Sequence, residues 1–189
     1  MKDKVLLTDC DGVVLDWEYH FTAWMKDKGY EIVNPEAYNI GVRYGIGDDY
    51  KPLVRAFNES AWVGKMAPFR DAIKYVKKLH EEHGFVFHAI TSLSHDKAAQ
   101  ELRTQNLKDL FGTAFQEFIY LDTGGDKDEE LAKYADTGCL WVEDKPKNAD
   151  LGFDLGLEAV LIAHDHNSDY TGPAHRVQNW KQIYEFVTH

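Results

Sequence analysis

The chain has 189 residues, 44% of them hydrophobic, and a formal charge of −11 from 32 acidic and 21 basic residues. That length supports one soluble globular domain with room for an insertion. The acidic balance, with no Lys/Arg-rich run, excludes a broad nucleic-acid footprint but leaves room for a small phosphorylated ligand held by a metal and local lysines.

Met1-Lys2-Asp3-Lys4 runs straight into the first strand with no cationic leader. No stretch approaches the roughly 18 consecutive apolar residues of a membrane span. A cytoplasmic location with no membrane partner is therefore expected. Cys10 and Cys139 both fall on strands and are expected reduced and packed as small apolar groups.

The first strand, Lys4 to Asp9, ends in Asp9-Cys10-Asp11-Gly12. Side chains two apart share a face of a strand, so both carboxylates are expected together and Cys10 on the opposite, core face. Two such acids repel unless a cation offsets them, and an all-oxygen pair suits Mg2+. An aromatic-rich stretch follows, from about Trp17 to Met66, and most of its rings are expected to form a small core of their own. Pro68 then opens a helix that carries Phe69, Ala72, Ile73, Val76 and Leu79 at helical spacing and closes at Gly84.

Phe85 to Ile90 is the next strand, and Ser94 caps a helix running to about Asn106. Phe118 to Leu121 is a third strand, and the acidic run Asp126 to Glu130 suits a helix start. Cys139 to Val142 and Ala159 to Ile162 are two more strands with a short helix between them. A last helix spans about Asn179 to Val187. Alternating strands and helices predict an α/β fold, a Rossmann-like parallel sheet with helices on both faces.

Ligands bind beyond the carboxyl ends of such strands. The first strand brings Asp9 and Asp11 there, the second Thr91 and Ser92, the third a Gly-Gly-Asp-Lys loop with Lys127, and the fourth Glu143 and Asp144. Lys145, beside Asp144, rivals Lys127 for the lysine position. The histidines of His164-Asp165-His166, with His175 beyond, lack cysteine partners and i, i+4 spacing, and are expected on a surface loop rather than around zinc.

This order resembles the haloacid dehalogenase (HAD) superfamily of aspartate-based phosphohydrolases. Asp9-Cys10-Asp11-Gly12, Ile90-Thr91-Ser92, Lys127 and Trp141-Val142-Glu143-Asp144 match its four motifs. Within it the chain is most similar to the small 5'(3')-deoxyribonucleotidases, in the segments Asp126-Lys127 and Glu143-Asp144-Lys145 and in Trp180 near the C-terminus. The resemblance implies a core of residues 1–16 and 68–189 with a small helical cap at 17–67. It implies Asp9 as nucleophile and Asp11 as general acid and base. Thr91, Ser92 and Lys127 would bind the phosphoryl group. Mg2+ would sit on Asp9, the Asp11 carbonyl and Asp144, while Glu143 and Lys145 would support the site from behind.

Trp62 is the aromatic expected to stack on a nucleobase. The implied activity is a Mg2+-dependent phosphomonoesterase on a small phosphate ester, a nucleoside monophosphate first. A sugar or cofactor phosphate is the alternative substrate, and a non-catalytic phosphate-binding module the alternative class. The oligomeric state is left open.

Overall fold

A computed structural model describes residues 4–189; the expected entry from Met1 to Asp3 into the first strand lies outside the described residues. Its centre is one six-stranded sheet: β1 (Lys4–Thr8), β2 (Phe85–Ser92), β3 (Phe115–Leu121), β4 (Leu140–Glu143), β5 (Glu158–Ile162) and β6 (His175–Val177). All neighbours are parallel, in the order β3-β2-β1-β4-β5-β6. The order reverses between β1 and β4, so their carboxyl ends open the crevice characteristic of doubly wound sheets.

Period-two alternation sorts the strand residues onto two apolar layers. Leu6, Phe87, Ala89, Val142 and Ile162 face one layer with helices α4 (Ala72–His83), α5 (Lys97–Phe111) and α8 (Trp180–Thr188). Leu7, Ile90 and Trp141 face the other, covered by Leu131 of α6 (Asp128–Ala132) and Leu151 of α7 (Pro146–Asp154). Cys10 is buried in the first layer, and burial pushes its thiol up to about 12. Among the described residues no helix is long and apolar enough to cross a membrane.

The segment between β1 and α4 is helical: α1 (Trp17–Asp27), α2 (Ile40–Arg43), α3 (Tyr50–Asn58) and short 3-10 turns. Its rings pack closely. Trp17 stacks on Phe21 at 4.5 Å, and Phe57 meets both edge-on. They do not form the separate core expected of them. Phe21, Phe57, Val63 and Met66 belong to the same apolar cluster as Leu107 and Phe111 of α5, because the segment lies directly on that helix.

Three local expectations also change. β1 stops at Thr8, because Val13, Val14 and Leu15 all donate to the Cys10 carbonyl and curl the chain into a turn. Pro68 is not helical: it bridges to Leu15, and Phe69 N–H donates to Val14 O in an extended strap. Asp96, not Ser94, caps α5, accepting from Ala99 N–H at 2.8 Å. Gly84 closes α4 as expected, at φ 72°. β6 was not foreseen, since three residues carry no periodic signal.

Candidate active site

The turn that ends β1 lies against the end of β4. Gly12 has φ +73°, and a Cβ there would meet Asp144 Oδ2 at 3.0 Å and His164 Nε2 at 3.3 Å. Only glycine permits both the left-handed backbone and this approach. From the other side, the buried indole N–H of Trp180 donates to Val13 O at 2.8 Å, so α8 braces the turn.

Asp9, buried at the start of the turn, is fixed through both oxygens. Cys10 N–H donates to Oδ1 at 2.7 Å, and Lys127 Nζ lies 2.9 Å from Oδ2. Lys127 also donates to Glu143 Oε2 at 2.7 Å. Asn148 Nδ2 donates to that oxygen, while the N–H groups of Asp144 and Lys145 donate to Oε1. Burial would raise Glu143, but Lys127 and these donors outweigh it and hold the carboxyl far below its usual range. Burial instead pushes Asp9 up to about 6, against the pull of Lys127. Lys127 is raised: Asp9 and Glu143 overcome the effect of its burial.

Ligand oxygens of Asp9, Glu143 and Asp144 all lie within 4.8 Å of one another. Lys127 pairs with two of these three clustered carboxylates, Asp9 and Glu143, and leaves Asp144 without an ammonium contact among the described residues. Burial, then Glu143, raises Asp144 well above the carboxylate range, and its shielded Oδ1 has no hydrogen-bond partner. An all-oxygen donor set with surplus negative charge and an unpartnered oxygen fits a hard divalent cation such as Mg2+.

Asp11 does not share this environment. Past the strand end its carboxylate turns to Arg103 of α5, whose Nη1 lies 2.9 Å from Oδ1. Arg103 is fully buried, a residue that sequence reasoning did not single out. Its approach to Asp11 is too oblique for a hydrogen bond, leaving Asp11 Oδ1 and Arg103 Nη1 and Nε without partners.

The two hydroxyls at the end of β2 also differ. Ser92 Oγ donates to Gly125 O at 2.8 Å, tying down the loop before Lys127, whereas the buried Thr91 Oγ1 has no partner. Lys145 is exposed and makes no ion pair among the described residues; Lys127 is the lysine on Asp9. Trp62 is 40% exposed, with its ring edge-on to His20 at 6.1 Å.

The His164 to His166 stretch is not the surface loop expected. His164 Nε2 lies 2.7 Å from Gly12 O, and His166 Nε2 lies 2.9 Å from Asp144 O. Burial lowers both imidazoles. Their signal was their place just after β5, the same strand-end position that marks Asp9, Ser92 and Asp144.

No family model matches the chain. It is 24% identical, over 94% of its length and 67% of the relative's, to an Enterobacteria phage T4 protein described as "Uncharacterized 32.4 kDa protein in Gp30-rIII intergenic region". Among solved structures it resembles the magnesium-bound HAD-hydrolase YfnB of Bacillus subtilis (TM-score 0.65, 15% identity, all of both chains). It also resembles L-2-haloacid dehalogenase of Xanthobacter autotrophicus (TM-score 0.61, 10% identity, 97% and 98% of the two chains). A third is D,D-heptose 1,7-bisphosphate phosphatase of Burkholderia thailandensis (TM-score 0.60, 10% identity, 98% and 99%). The chain has the fold of the HAD-type hydrolases.

Proposed function

We propose that the chain is a Mg2+-dependent phosphomonoesterase working through an aspartyl-phosphate, with nucleoside monophosphates as substrates. The observation that carries this reading is Asp9: a buried carboxylate beside Glu143 and Asp144, aimed by Cys10 N–H and partly neutralised by Lys127 at 2.9 Å. Held rigidly, such a carboxylate attacks in line with little reorganisation.

In the first step an Asp9 oxygen bonds to phosphorus as the ester P–O bond breaks. Asp11 Oδ2, the oxygen turned away from the Arg103 contact, gives its proton to the leaving alkoxide. In the second, the same oxygen takes a proton from water as that water attacks phosphorus, freeing Asp9 and releasing phosphate. Lys127 offsets charge on Asp9 and on the phosphoryl oxygens, and the unpartnered Thr91 hydroxyl, with Ser92, donates to those oxygens. Asp9, the Asp11 carbonyl and Asp144 would hold Mg2+, with Glu143 and Lys145 behind them. When bound, the ion neutralises charge on the transferring group.

The helical segment 17–67 serves as a cap on a core of residues 1–16 and 68–189. Asn58 Nδ2 donates to Leu93 O at 3.0 Å, and Arg55 forms a two-pronged pair with Asp122, both bridging segment and core. The exposed rings of Tyr19, Tyr38 and Trp62 on this segment favour a ligand with an aromatic base, Trp62 stacking on it. A panel of phosphate esters with Mg2+ tests the reading. Among singly phosphorylated esters, nucleoside monophosphates are expected to lead, and Trp62→Ala to lower their kcat/KM while sparing sugar phosphates. A sugar-phosphate lead would transfer the reading to that class, and no phosphate release from any ester would end it.

A further inference from the structure

A cavity of about 480 Å³ lies beside the reactive turn, beyond the ends of β5 and β6, lined in part by Tyr38, Arg70, His164, His166 and Arg176. A second, of about 540 Å³, shares Glu18, Arg43 and His164 with it and reaches Gly12. Asp9 lines neither cavity. His164, which lines both, stacks on His166 at 5.1 Å, and each is bonded through Nε2 to a carbonyl, of Gly12 and Asp144 respectively.

Two guanidiniums in this cavity hold no carboxylate. Arg70 donates to Gln178 O and to Ala163 O, the latter at 2.7 Å. Arg176 donates from Nε to Asn167 Oδ1 at 3.1 Å and from Nη2 to His164 O at 3.4 Å. Carbonyl and amide oxygens carry no net charge. Among the described residues neither arginine has a carboxylate within 4.0 Å. Glu18 is spent on Arg43 at 2.6 Å, and Glu36 and Asp165 on the rim pair with neither. In a chain of charge −11, two adjacent arginines left unpaired are unexpected.

Their placement is built. Arg70 holds φ 45°, one of two non-glycine residues at positive φ among those described, and so bears backbone strain. Burial first, with a smaller push from Arg176, lowers its pKa against Asp71, Asp16 and Asp165. Arg176 is oriented by Asn167, a buried amide that also donates to Asp144 O at 2.9 Å and Ile162 O at 2.8 Å. The same side chain therefore fixes a guanidinium and the metal-binding loop. Among the described residues, each guanidinium keeps N–H donors without an acceptor.

We infer that Arg70 and Arg176 form a subsite for a second anionic group of the substrate, so that the preferred ester carries a phosphate or carboxylate besides the phosphate being cleaved. Tyr38, whose ring lies 4.2 Å from His166, lines the same cavity as the two arginines. The inference rests on the phosphomonoesterase reading and names its substrate class.

The test compares two matched pairs with Mg2+: a nucleoside 3',5'-bisphosphate against its 5'-monophosphate, and a sugar bisphosphate against its monophosphate. In at least one pair the doubly anionic ester is expected to show kcat/KM about tenfold higher or more, the scale of a charged hydrogen bond. In Arg70→Asn/Arg176→Gln that ratio falls to about one with the monophosphate kcat/KM unchanged. Asn is used because it tolerates the left-handed backbone, and Arg176→Lys, which keeps the charge, retains most of the preference. A ratio of one in the parent for both pairs, or an equal loss on both members in the double variant, overturns the inference and leaves the phosphatase reading intact. If no ester is cleaved, that reading fails. Calorimetry of the same compounds with the Mg2+-treated parent then decides: preferential binding of a doubly anionic ester, lost in the double variant, supports the subsite, and equal or absent binding overturns it.

Discussion

Lys127 and Arg103 approach the two aspartates of the first motif from opposite faces of the sheet, and they are finished to different degrees. Lys127, just before α6, sits between two carboxylates, at 2.9 Å from Asp9 and 2.7 Å from Glu143. Glu143 in turn has four donors on its two oxygens. Arg103, on α5, has one carboxylate at an oblique 2.9 Å, a thioether contact to Met66 at 3.5 Å, and two nitrogens without partners. A saturated buried charge network rigidifies its members, whereas an unsaturated one carries a desolvation cost that its contacts do not return. The chain therefore has a rigid half that holds Asp9 and a looser half around Asp11. That division matches the proposed roles, in which Asp9 must not move and Asp11 must pass a proton both ways.

The sharpest way to break the comparison is to remove the groups on the rigid side. Asp9→Asn is expected to reduce phosphate release by about four orders of magnitude or more, since an amide cannot take the nucleophile's place. A phosphate-release assay at saturating Mg2+ checks this, and turnover near that of the parent would leave the Asp9 mechanism untenable. Lys127→Met is next. It strips the ammonium from two buried carboxylates, so about 3–5 kcal/mol of folding stability is expected to go, read as the change in urea midpoint at constant slope. Mg2+ should restore part of it.

Magnesium itself sharpens the contrast, because the surplus negative charge lies only on the Lys127 side. At a concentration about a hundred times its Kd, an ion bound only to the folded state adds about 2.7 kcal/mol. A rise in the thermal midpoint is expected in the parent, and Asp144→Asn should abolish it. A rise that survives in Asp144→Asn would place the ion elsewhere.

How much of this was legible in the sequence follows the same division. The central strands are buried on both faces, so Val5-Leu6-Leu7 and Leu140-Trp141-Val142 stand out as apolar runs, and the residues just past them locate the crevice. The Lys127 side was visible because each member follows a strand. Arg103 was hidden inside a helix whose polar positions look alike in sequence. Its position is telling in retrospect: Ala99, Arg103 and Leu107 are spaced i, i+4, i+8 and all are buried, so a charge interrupts the apolar stripe of α5. His164 and His166 were misplaced for another reason. Their short, polar, histidine-rich segment looks like a loop, and only the fold shows Asn167 pulling it in against Asp144.

Arg103→Met carries the smallest expected effect and the most discriminating one. Loss of a guanidinium from a buried ion pair ordinarily destabilises strongly, because the partner is left charged and dry. Here the partner is not dry: the Asp11 side chain keeps 21% of its exposure, so water can solvate it once the guanidinium is gone. The two unpartnered nitrogens leave with it, and methionine refills the space beside Met66 with a flexible apolar chain. The gains and losses nearly cancel, so folding stability is expected to change by less than about 1.5 kcal/mol in either direction, against about 3–5 for Lys127→Met. Asp11, no longer held on one side, loses orientation, and kcat is expected to fall about tenfold with KM little changed. Urea titration and steady-state kinetics on the one variant measure both. A stability loss as large as that of Lys127→Met would mean that Arg103 is as well satisfied as Lys127, and the two halves of the site would then be alike.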